Sequence, residues 1–244
     1  MRAQYAALVS QGDVSDGYRD YDKAIADYSE AIRLDPKNPK AFNNRSRAYR
    51  EKGEYDRAIA DANEAIRLDP QYASAFSNRG AAYAGKGDHD RAMSDYNDAI
   101  RLDPQHAPAF NNRGLTNARK GDHDRAMSDL NEAIRLDAQF AVAFSNRGEA
   151  YRNKREYDRA ITDLNEAIRL NPKSGSAYYN RGNIYARKGD NTRAISDYSQ
   201  AIRLNPKDAL ALCNRGKARK ARGDTIGSNA DISQAKQLGS SNCQ

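Results

Sequence analysis

Residues 73–106, ASAFSNRGAAYAGKGDHDRAMSDYNDAIRLDPQH, decide the fold, because close copies of this stretch fill most of the chain. Residues 107–140 match it at 24 of 34 positions. Further outward, the tripeptide Asn-Arg-Gly returns at the same period, at Asn78, Asn112, Asn146, Asn180 and Asn214, with Asn44-Arg45-Ser46 as a variant. The run Ala-Ile-Arg-Leu keeps step with it, at Ala31, Ala65, Ala99, Ala133, Ala167 and Ala201. An uninterrupted period of 34 residues predicts a repeat architecture.

Each repeat contains two helical patterns separated by a turn. In one copy, small and aromatic side chains recur at helical spacing from Phe42 onward, and Gly53 marks the end of that helix. The second helix is predicted to begin after Glu54, because an acidic residue suits the positive end of the helix dipole. It is predicted to end at Pro70, since proline cannot continue a helix.

The composition taken alone indicates a disordered chain, which the repeat contradicts. Ile, Leu, Val and Phe make up about 14% of the residues, and charged residues make up 30%. Alanine has the highest helix propensity and lets helices approach closely, so a repeat protein can fold with few large side chains. Scarce valine argues against a sheet protein.

The chain carries no signal for a membrane or for export. There is no run of 18 apolar residues, and the first ten residues have only a short apolar stretch, too weak for a secretory signal. We therefore expect a cytoplasmic protein with no membrane contact. The two cysteines, Cys213 and Cys243, indicate neither a disulfide framework nor a zinc site, and a reducing compartment fits them.

In this register the repeat resembles the tetratricopeptide repeat, which has 34 residues and a Trp-x2-Leu-Gly-x2-Tyr pattern in its first helix. The Trp place is filled by Phe42, Phe76, Phe110, Phe144, Tyr178 and Leu212, and the Gly place by Ser46, Gly80, Gly114, Gly148, Gly182 and Gly216. Asn117 and Arg219 depart from the Tyr place. The resemblance implies an all-α fold, a right-handed α-α superhelix (solenoid) of about seven 34-residue helix-turn-helix repeats.

The repeats divide the whole chain. We expect an N-terminal tail at 1–4, a degenerate first repeat at 5–38, five well-matched repeats at 39–72, 73–106, 107–140, 141–174 and 175–208, a degenerate capping repeat at 209–242, and a tail at 243–244. In the first repeat, Gly12, Asp13, Ser15, Asp16 and Gly17 disturb the first helix, and only the second, around residues 21–34, matches clearly. The last helix is expected near residues 225–238.

One departure from the family pattern recurs in six repeats: arginine stands in the Leu place, at Arg45, Arg79, Arg113, Arg147, Arg181 and Arg215. The second helices carry an equally periodic acid, at Asp27, Asp61, Asp95, Asp129, Asp163, Asp197 and Asp231. An unpaired guanidinium on the packed face would be costly, so we predict a ladder of partly buried Arg–Asp salt bridges across helices. In the alternative, each Asp pairs with the basic residue four before it, as Asp61 would with Arg57, while the arginine extends to solvent.

The other face of the first helices carries a row of asparagines: Asn44, Asn78, Asn112, Asn146, Asn180 and Asn214. An Asn amide both donates and accepts, and so matches a peptide backbone. In the tetratricopeptide family such ladders hold extended peptides in a concave groove, which the resemblance implies here. The alternative is that the row belongs to the common repeat pattern and only fixes helix contacts.

Variable positions around this row are mostly cationic: Arg47, Arg50, Arg119, Arg152, Arg187, Lys217 and Lys220, against Glu51 and Glu149. We therefore predict a protein or peptide partner, acidic in character. Lys40 and Asn44 resemble part of the family's clamp for chaperone-tail carboxylates, but later repeats do not continue it, so we do not predict that specificity.

Catalysis is not predicted: we expect no enzyme, no cofactor and no metal. The runs Asp88-His89-Asp90 and Asp122-His123-Asp124 stand where other repeats have Glu-Tyr-Asp, so His replaces a packing aromatic. Cys213 is expected to face the groove, with no histidine nearby to activate it.

The predicted function is therefore a non-catalytic scaffold for protein–protein interaction. One alternative is nucleic-acid binding through the basic groove and the basic helix around residues 215–222, although nucleic acid is disfavoured as a partner. The other is a self-assembling module, a homo-oligomer formed through the degenerate ends.

Overall fold

The computed structural model describes residues 4, 6–11, 20–240 and 243. The whole segment predicted to disturb the first helix, residues 12–17, and part of each predicted tail lie outside the described residues. The chain divides into two compact units, Met1–Leu136 and Asp137–Gln244, called the first unit and the second unit below.

All regular structure in the described residues is helical. The first unit contains α1 (residues 6–11), α2 (Tyr21–Leu34), α3 (Pro39–Glu51), α4 (Tyr55–Leu68), α5 (Ala73–Gly85), α6 (His89–Leu102), α7 (Ala107–Arg119) and α8 (His123–Leu136). The second unit contains α9 (Ala141–Asn153), α10 (Tyr157–Leu170), α11 (Gly175–Arg187), α12 (Asn191–Leu204), α13 (Ala209–Ala221) and α14 (Thr225–Gln237). The predicted all-α fold of paired antiparallel helices, the fold of a tetratricopeptide superhelix, is confirmed.

Local capping explains the regular helix boundaries. The Asp88 carboxylate accepts a hydrogen bond from the backbone N–H of Arg91 at 3.1 Å and so caps the start of α6. After most first helices, a glycine with positive φ reverses the chain, as Gly53 does at +79°. Arg155 holds this place after α9 with a φ of +62°, a conformation that is strained for a residue with a Cβ.

The core is a thin layer made mostly of alanine, with one large side chain in most repeats. The largest fully buried side chains include Tyr28, Tyr96, Leu130, Leu164, Ile184, Tyr198 and Leu212. Each helix packs only against its neighbours in sequence or in the stack within its unit. A low content of large aliphatic residues is therefore enough for a folded repeat protein.

Close packing within a pair depends on glycine facing a large side chain. A Cβ added at Gly80 would lie 2.8 Å from Cε1 of Tyr96, so alanine would not fit there without displacing the ring. In the repeat with Ser46 at this place, the large residue is replaced by Ala62, and the Ser46 hydroxyl donates to the carbonyl oxygen of Ala58 at 2.7 Å. The larger side chain at Ser46 is thus compensated by the smaller one at Ala62, and the two helices keep the same packing.

The predicted Arg–Asp ladder is confirmed. Each arginine donates from Nε and Nη2 to both oxygens of an aspartate on the second helix, at 2.7–3.0 Å. The pairs are Arg45 with Asp61, Arg79 with Asp95, Arg113 with Asp129, Arg147 with Asp163, Arg181 with Asp197, and Arg215 with Asp231. The aspartate side chains are only 4–10% exposed.

The alternative pairing of Asp61 with Arg57 is wrong, because Arg57 bonds Glu54 instead, at 2.8 Å. Asp27 has no rung of this kind, since Gln11 stands where the arginine would be.

The guanidinium groups of the ladder arginines also bond a third helix. Nη1 of Arg79 donates to Asn63 of the preceding repeat at 2.8 Å, and Arg45 makes the equivalent bond to Ser29 at 2.9 Å. Arg113, Arg181 and Arg215 repeat this contact with Asn97, Asn165 and Ser199. One arginine therefore fixes both the helix pair and the stacking of successive pairs.

The aromatic residues in the Trp place are half-buried rather than buried, and the arginine covers one ring face. The Arg79 guanidinium carbon lies 5.4 Å from the centre of the Phe76 ring. Hydrogen bonding to Asp95 raises the pKa of Arg79, whereas burial raises the pKa of Asp95. The two hydrogen bonds from the guanidinium to the carboxylate favour the ionised pair. The rung thus combines an ion pair with an aromatic contact.

Both departures from the Tyr place strengthen the local rung. Asn117 donates to Oδ2 of Asp129 at 3.1 Å, and Arg219 donates to Oδ2 of Asp231 at 2.9 Å. These residues replace the aromatic packing of a tyrosine with a further hydrogen bond to the buried carboxylate.

Two expectations about the cysteines are wrong, namely that they form no disulfide and that Cys213 faces the groove. Cys213 forms a disulfide with Cys243, with Cα atoms 5.6 Å apart, and the pair packs with Leu212 and Ala235 in the core of the last repeat. Cys213 is 4% exposed and does not face the groove. Because disulfides persist mainly in oxidising surroundings, the two cysteines no longer favour a reducing compartment.

Removing one rung should destabilise the protein strongly. We expect Arg113→Ala to lower the free energy of unfolding by about 3 kcal/mol, because it leaves the buried Asp129 carboxylate without a cation and with only the hydrogen bond from Asn117. The control is Arg135→Ala, which breaks an exposed pair with Glu132 and should change it by less than about 1 kcal/mol. Chemical denaturation measures both, and equal midpoints for Arg113→Ala and the unmodified chain would contradict a structural role for the rung.

Arg155→Gly should stabilise the second unit. Glycine removes the penalty for a positive φ, about 1 kcal/mol, and brings this turn to the residue found in the other repeats. The expected result is a higher thermal unfolding midpoint, with Lys154→Gly next to it as a control that should not raise it.

Breaking the disulfide should also weaken the second unit. The cysteines are 30 residues apart, so loop closure contributes about 3 kcal/mol. Cys243→Ser should unfold at lower denaturant concentration than the oxidised chain, and a reductant should bring the unmodified chain to the same midpoint. A midpoint insensitive to reductant would show that the bond adds nothing to stability.

Candidate functional site

In each unit, the face of the first helices that carries the asparagines is called the first-helix face; it is formed by α3, α5 and α7 in the first unit and by α9, α11 and α13 in the second. All six asparagines lie on it and are half-buried. Asn78 donates to the amide oxygen of Asn43 at 2.8 Å, and Asn214 donates to the Tyr179 hydroxyl at 3.1 Å and to Asn183 at 2.9 Å. At these two positions the amide joins neighbouring first helices, as the alternative interpretation of the row predicts.

Other members of the row have a different environment. Asn112 accepts a hydrogen bond from the adjacent Asn111 at 3.1 Å, and within the described residues Asn180 makes no hydrogen bond through its side chain. Asn44 and Asn146 each have interactions of their own. The row is therefore not one uniform ladder, and only some of its amides are suited to receive a ligand.

In the first unit, part of the predicted site forms a cleft of about 260 Å³ between α3, α5, α6 and α7. It brings together Arg50, Asn112 and Arg119 with Glu51. Arg50 and Glu51 bond each other, so one cation is neutralised within the site. The remaining wall includes Leu115 and small residues, which give this cleft an apolar side.

In the second unit, a larger cleft of about 500 Å³ lies between α9, α11, α12 and α13. It brings together the predicted residues Arg152, Arg187, Asn214 and Lys217. No carboxylate belongs to its wall, although Glu149 pairs with Arg152 from outside at 3.1 Å. The cleft is therefore cationic.

Six predicted residues line neither cleft: Asn44, Asn78, Asn146, Asn180, Arg47 and Lys220. Arg47 is half-buried and has interactions of its own, whereas Lys220 is exposed on α13. Sequence reasoning missed Tyr179, Asn183 and Tyr198, which form much of the wall in the second unit. The 34-residue period could have located them, because it assigns each of these residues to a position in its repeat that can be compared with the same position in the other repeats.

Burial affects one tyrosine in each cleft, Tyr96 in the first and Tyr198 in the second. It raises the pKa of Tyr96 to about 12, and it also raises the pKa of Tyr198. Both hydroxyls therefore act as neutral hydrogen-bonding groups at physiological pH.

Within the described part of the chain, no group of three His, Cys, Asp or Glu residues is arranged to hold a metal ion. In the run Asp88-His89-Asp90, Asp88 caps α6 and Asp90 pairs with Lys120 at 2.8 Å. No described helix is long and apolar enough to cross a bilayer.

Sequence comparison matches the chain to family models described as tetratricopeptide repeats. The matches fall at residues 20–45 and 47–87, 73–106, 107–140, and 146–224, and together they span most of the chain. No protein of curated function matches the sequence.

Several solved structures share the fold. A chain of the APC/C hetero-tetramer Cut9–Hcn1 aligns with a TM-score of 0.82 and 20% identity over 96% of this chain, which spans 46% of that one. A tetratricopeptide repeat protein from Parabacteroides merdae aligns with a TM-score of 0.64 and 21% identity, covering 98% of this chain and 95% of its own. YrrB, described as having an unusual peptide-binding site, aligns at 0.50 with 24% identity, covering 76% and 95%. At these identities the likeness shows the fold alone.

Proposed function

Because the chain belongs to the tetratricopeptide repeat family, whose domains generally mediate protein–protein interactions, we propose that it is a scaffold that binds an extended, acidic protein segment on its first-helix face. The scaffold has no chemistry of its own in this proposal.

The charge distribution of this face is the observation that carries the proposal. Arg119, Arg187, Lys217 and Lys220 are exposed on it. Its two acids, Glu51 and Glu149, are each bonded to a neighbouring arginine and do not oppose those cations. A segment rich in Asp and Glu is therefore attracted to the face and binds it with complementary charge.

Asparagines whose side-chain amides keep open hydrogen-bonding positions support an extended conformation of the bound segment. Asn180 has both donor and acceptor positions open within the described residues, and Asn112 retains its two N–H donors. An extended backbone offers alternating N–H and C=O groups that such amides bond without regard to side chains. YrrB, which shares the fold, provides an analogy for peptide binding by helical repeats of this kind.

Selection from a displayed peptide library tests the proposal. We expect enrichment of sequences rich in Asp and Glu, with affinity that falls as the salt concentration rises. Asn112→Ala combined with Asn180→Ala should weaken binding of a selected peptide about ten-fold or more, since two hydrogen bonds are lost. Fluorescence anisotropy gives the Kd.

Arg135→Ala combined with Arg169→Ala is the matched control, because both residues lie on second helices in exposed pairs. Enrichment of basic or charge-neutral sequences would contradict an acidic partner. An unchanged Kd for the asparagine variant would contradict backbone recognition by the row.

A further inference from the structure

The two clefts are the same site built twice, at positions 102 residues apart. Arg50, Tyr96 and Asn112 of the first unit correspond to Arg152, Tyr198 and Asn214 of the second, and each of these residues lines its cleft. The repeat geometry therefore supplies an internal comparison, in which differences between the clefts reflect only the residues that change.

Several substitutions change the chemistry of the second cleft. Where the first unit has Ala81, Gly85, Leu115 and Thr116, the second has Asn183, Arg187, Lys217 and Ala218, whereas Glu51 and Arg119 of the first wall have no counterpart in the second. Three of the changes introduce hydrogen-bond donors, and two of those donors are cationic. The fourth removes a hydroxyl that hydrogen-bonds with Tyr96 in the first unit.

The hydrogen bonds of the second cleft orient its neutral groups so that donors remain for a ligand. The Tyr198 hydroxyl donates to Oδ1 of Asn183 at 2.8 Å, and Nδ2 of Asn214 donates to the same oxygen at 2.9 Å. With its acceptor occupied twice, Asn183 offers only its N–H groups to the cleft. Tyr179 accepts from Asn214 at 3.1 Å, and within the described residues its own O–H bonds no acceptor.

The cations of this cleft carry about two positive charges that no carboxylate among the described residues neutralises. Among the described residues, Arg187 and Lys217 form no ion pair, whereas Arg152 shares its charge with Glu149 at 3.1 Å. A single carboxylate would neutralise only one of the two unpaired cations. A phosphoryl group carries nearly two negative charges at neutral pH and three acceptor oxygens, so it matches both the charge and the donors.

We propose that the cleft of the second unit binds the phosphoryl group of a phosphorylated side chain on the bound protein segment. Arg187 and Lys217 neutralise the dianion, while the amide of Asn183 and the hydroxyl of Tyr179 donate to its oxygens. The volume of about 500 Å³ admits such a side chain, whereas the first cleft, at about 260 Å³ and with Leu115 in its wall, does not offer the same donors. The inference rests on the proposed function, because the phosphoryl group arrives on that segment.

Phenyl phosphate and benzoate are matched probes for the charge of the ligand. Both carry an aromatic ring, but only phenyl phosphate becomes a dianion at pH 7.5. We expect phenyl phosphate to bind the full chain at least ten-fold more tightly and to shift the side-chain amide signals of Asn183 and Asn214 in NMR spectra. Equal affinities, or shifts confined to the first unit, would overturn the proposal.

A variant that introduces three residues of the first cleft tests the role of their counterparts in the second. Asn183→Ala, Lys217→Leu and Ala218→Thr together install the residues of Ala81, Leu115 and Thr116, a combination that already packs in this chain. We expect phenyl phosphate affinity to fall at least ten-fold. The exposed Lys217→Leu alone provides a second variant if the triple variant fails to fold, and it should weaken binding about five-fold. Retained affinity in the folded variant would overturn the proposal.

The source of the phosphoryl group is tested with two macromolecular probes. A selected acidic peptide in which one Glu is replaced by phosphoserine should bind at least ten-fold more tightly than its unphosphorylated form, and the gain should vanish in the variant. A short RNA that binds more tightly than this peptide would overturn the assignment to a protein segment.

Failure of the proposed function is distinguishable from failure of this inference. The Asn112→Ala and Asn180→Ala variant should lose peptide affinity but keep that for phenyl phosphate, because neither residue lines the second cleft. Phenyl phosphate binding without any peptide binding would overturn the peptide scaffold. Peptide binding without a preference for the phosphorylated form would overturn the inference alone.

Discussion

The structure depends on one constraint, an aspartate carboxylate buried in the second helix of six repeats. Such a group is tolerated only when paired, and in each repeat the fork of an arginine on the first helix meets both of its oxygens, as Arg79 does with Asp95. Because Arg79 also bonds Asn63 of the preceding repeat, the pairing sets the angle within a helix pair and the position of the next pair. A largely alanine core provides little shape information of its own, so this polar contact supplies the specificity of packing.

The arrangement separates stability from recognition. The packed side of the first helices carries the ladder arginines, with a glycine and a half-buried aromatic residue in most repeats, while the opposite side joins neighbouring first helices at fewer positions, as Asn78 does with Asn43. Substitutions there, such as Leu115 in one unit and Lys217 in the other, change the chemistry of a cleft without changing its frame. Repetition thus yields two sites of the same geometry: one has a partly apolar wall in which Glu51 neutralises Arg50, and the other presents the two unpaired cations Arg187 and Lys217.

Sequence reasoning predicted the ladder because its elements are periodic and an unpaired arginine on a packed face is costly. It predicted the cationic character of the first-helix face from the charges at its variable positions. It missed the direction of the amide bonds: Asn78 and Asn180 hold equivalent places, but one bonds a neighbouring helix and the other bonds nothing in the described residues. That difference depends on whether the neighbouring repeat offers an acceptor such as Asn43. The identity of the asparagine position alone does not show whether such an acceptor is present.

The sequence by itself determined the helical repeat, its period, the helix boundaries and the partners in the ladder, because each of these follows from local spacing repeated many times. Only the tertiary structure decided the features formed once, by residues far apart in sequence. Cys213 meets Cys243 because the last repeat folds back on itself, and Arg152 shares a cleft with Lys217 because three first helices lie side by side. Such contacts depend on distances between helices, and a periodic sequence does not encode which of many equivalent positions carries the functional difference.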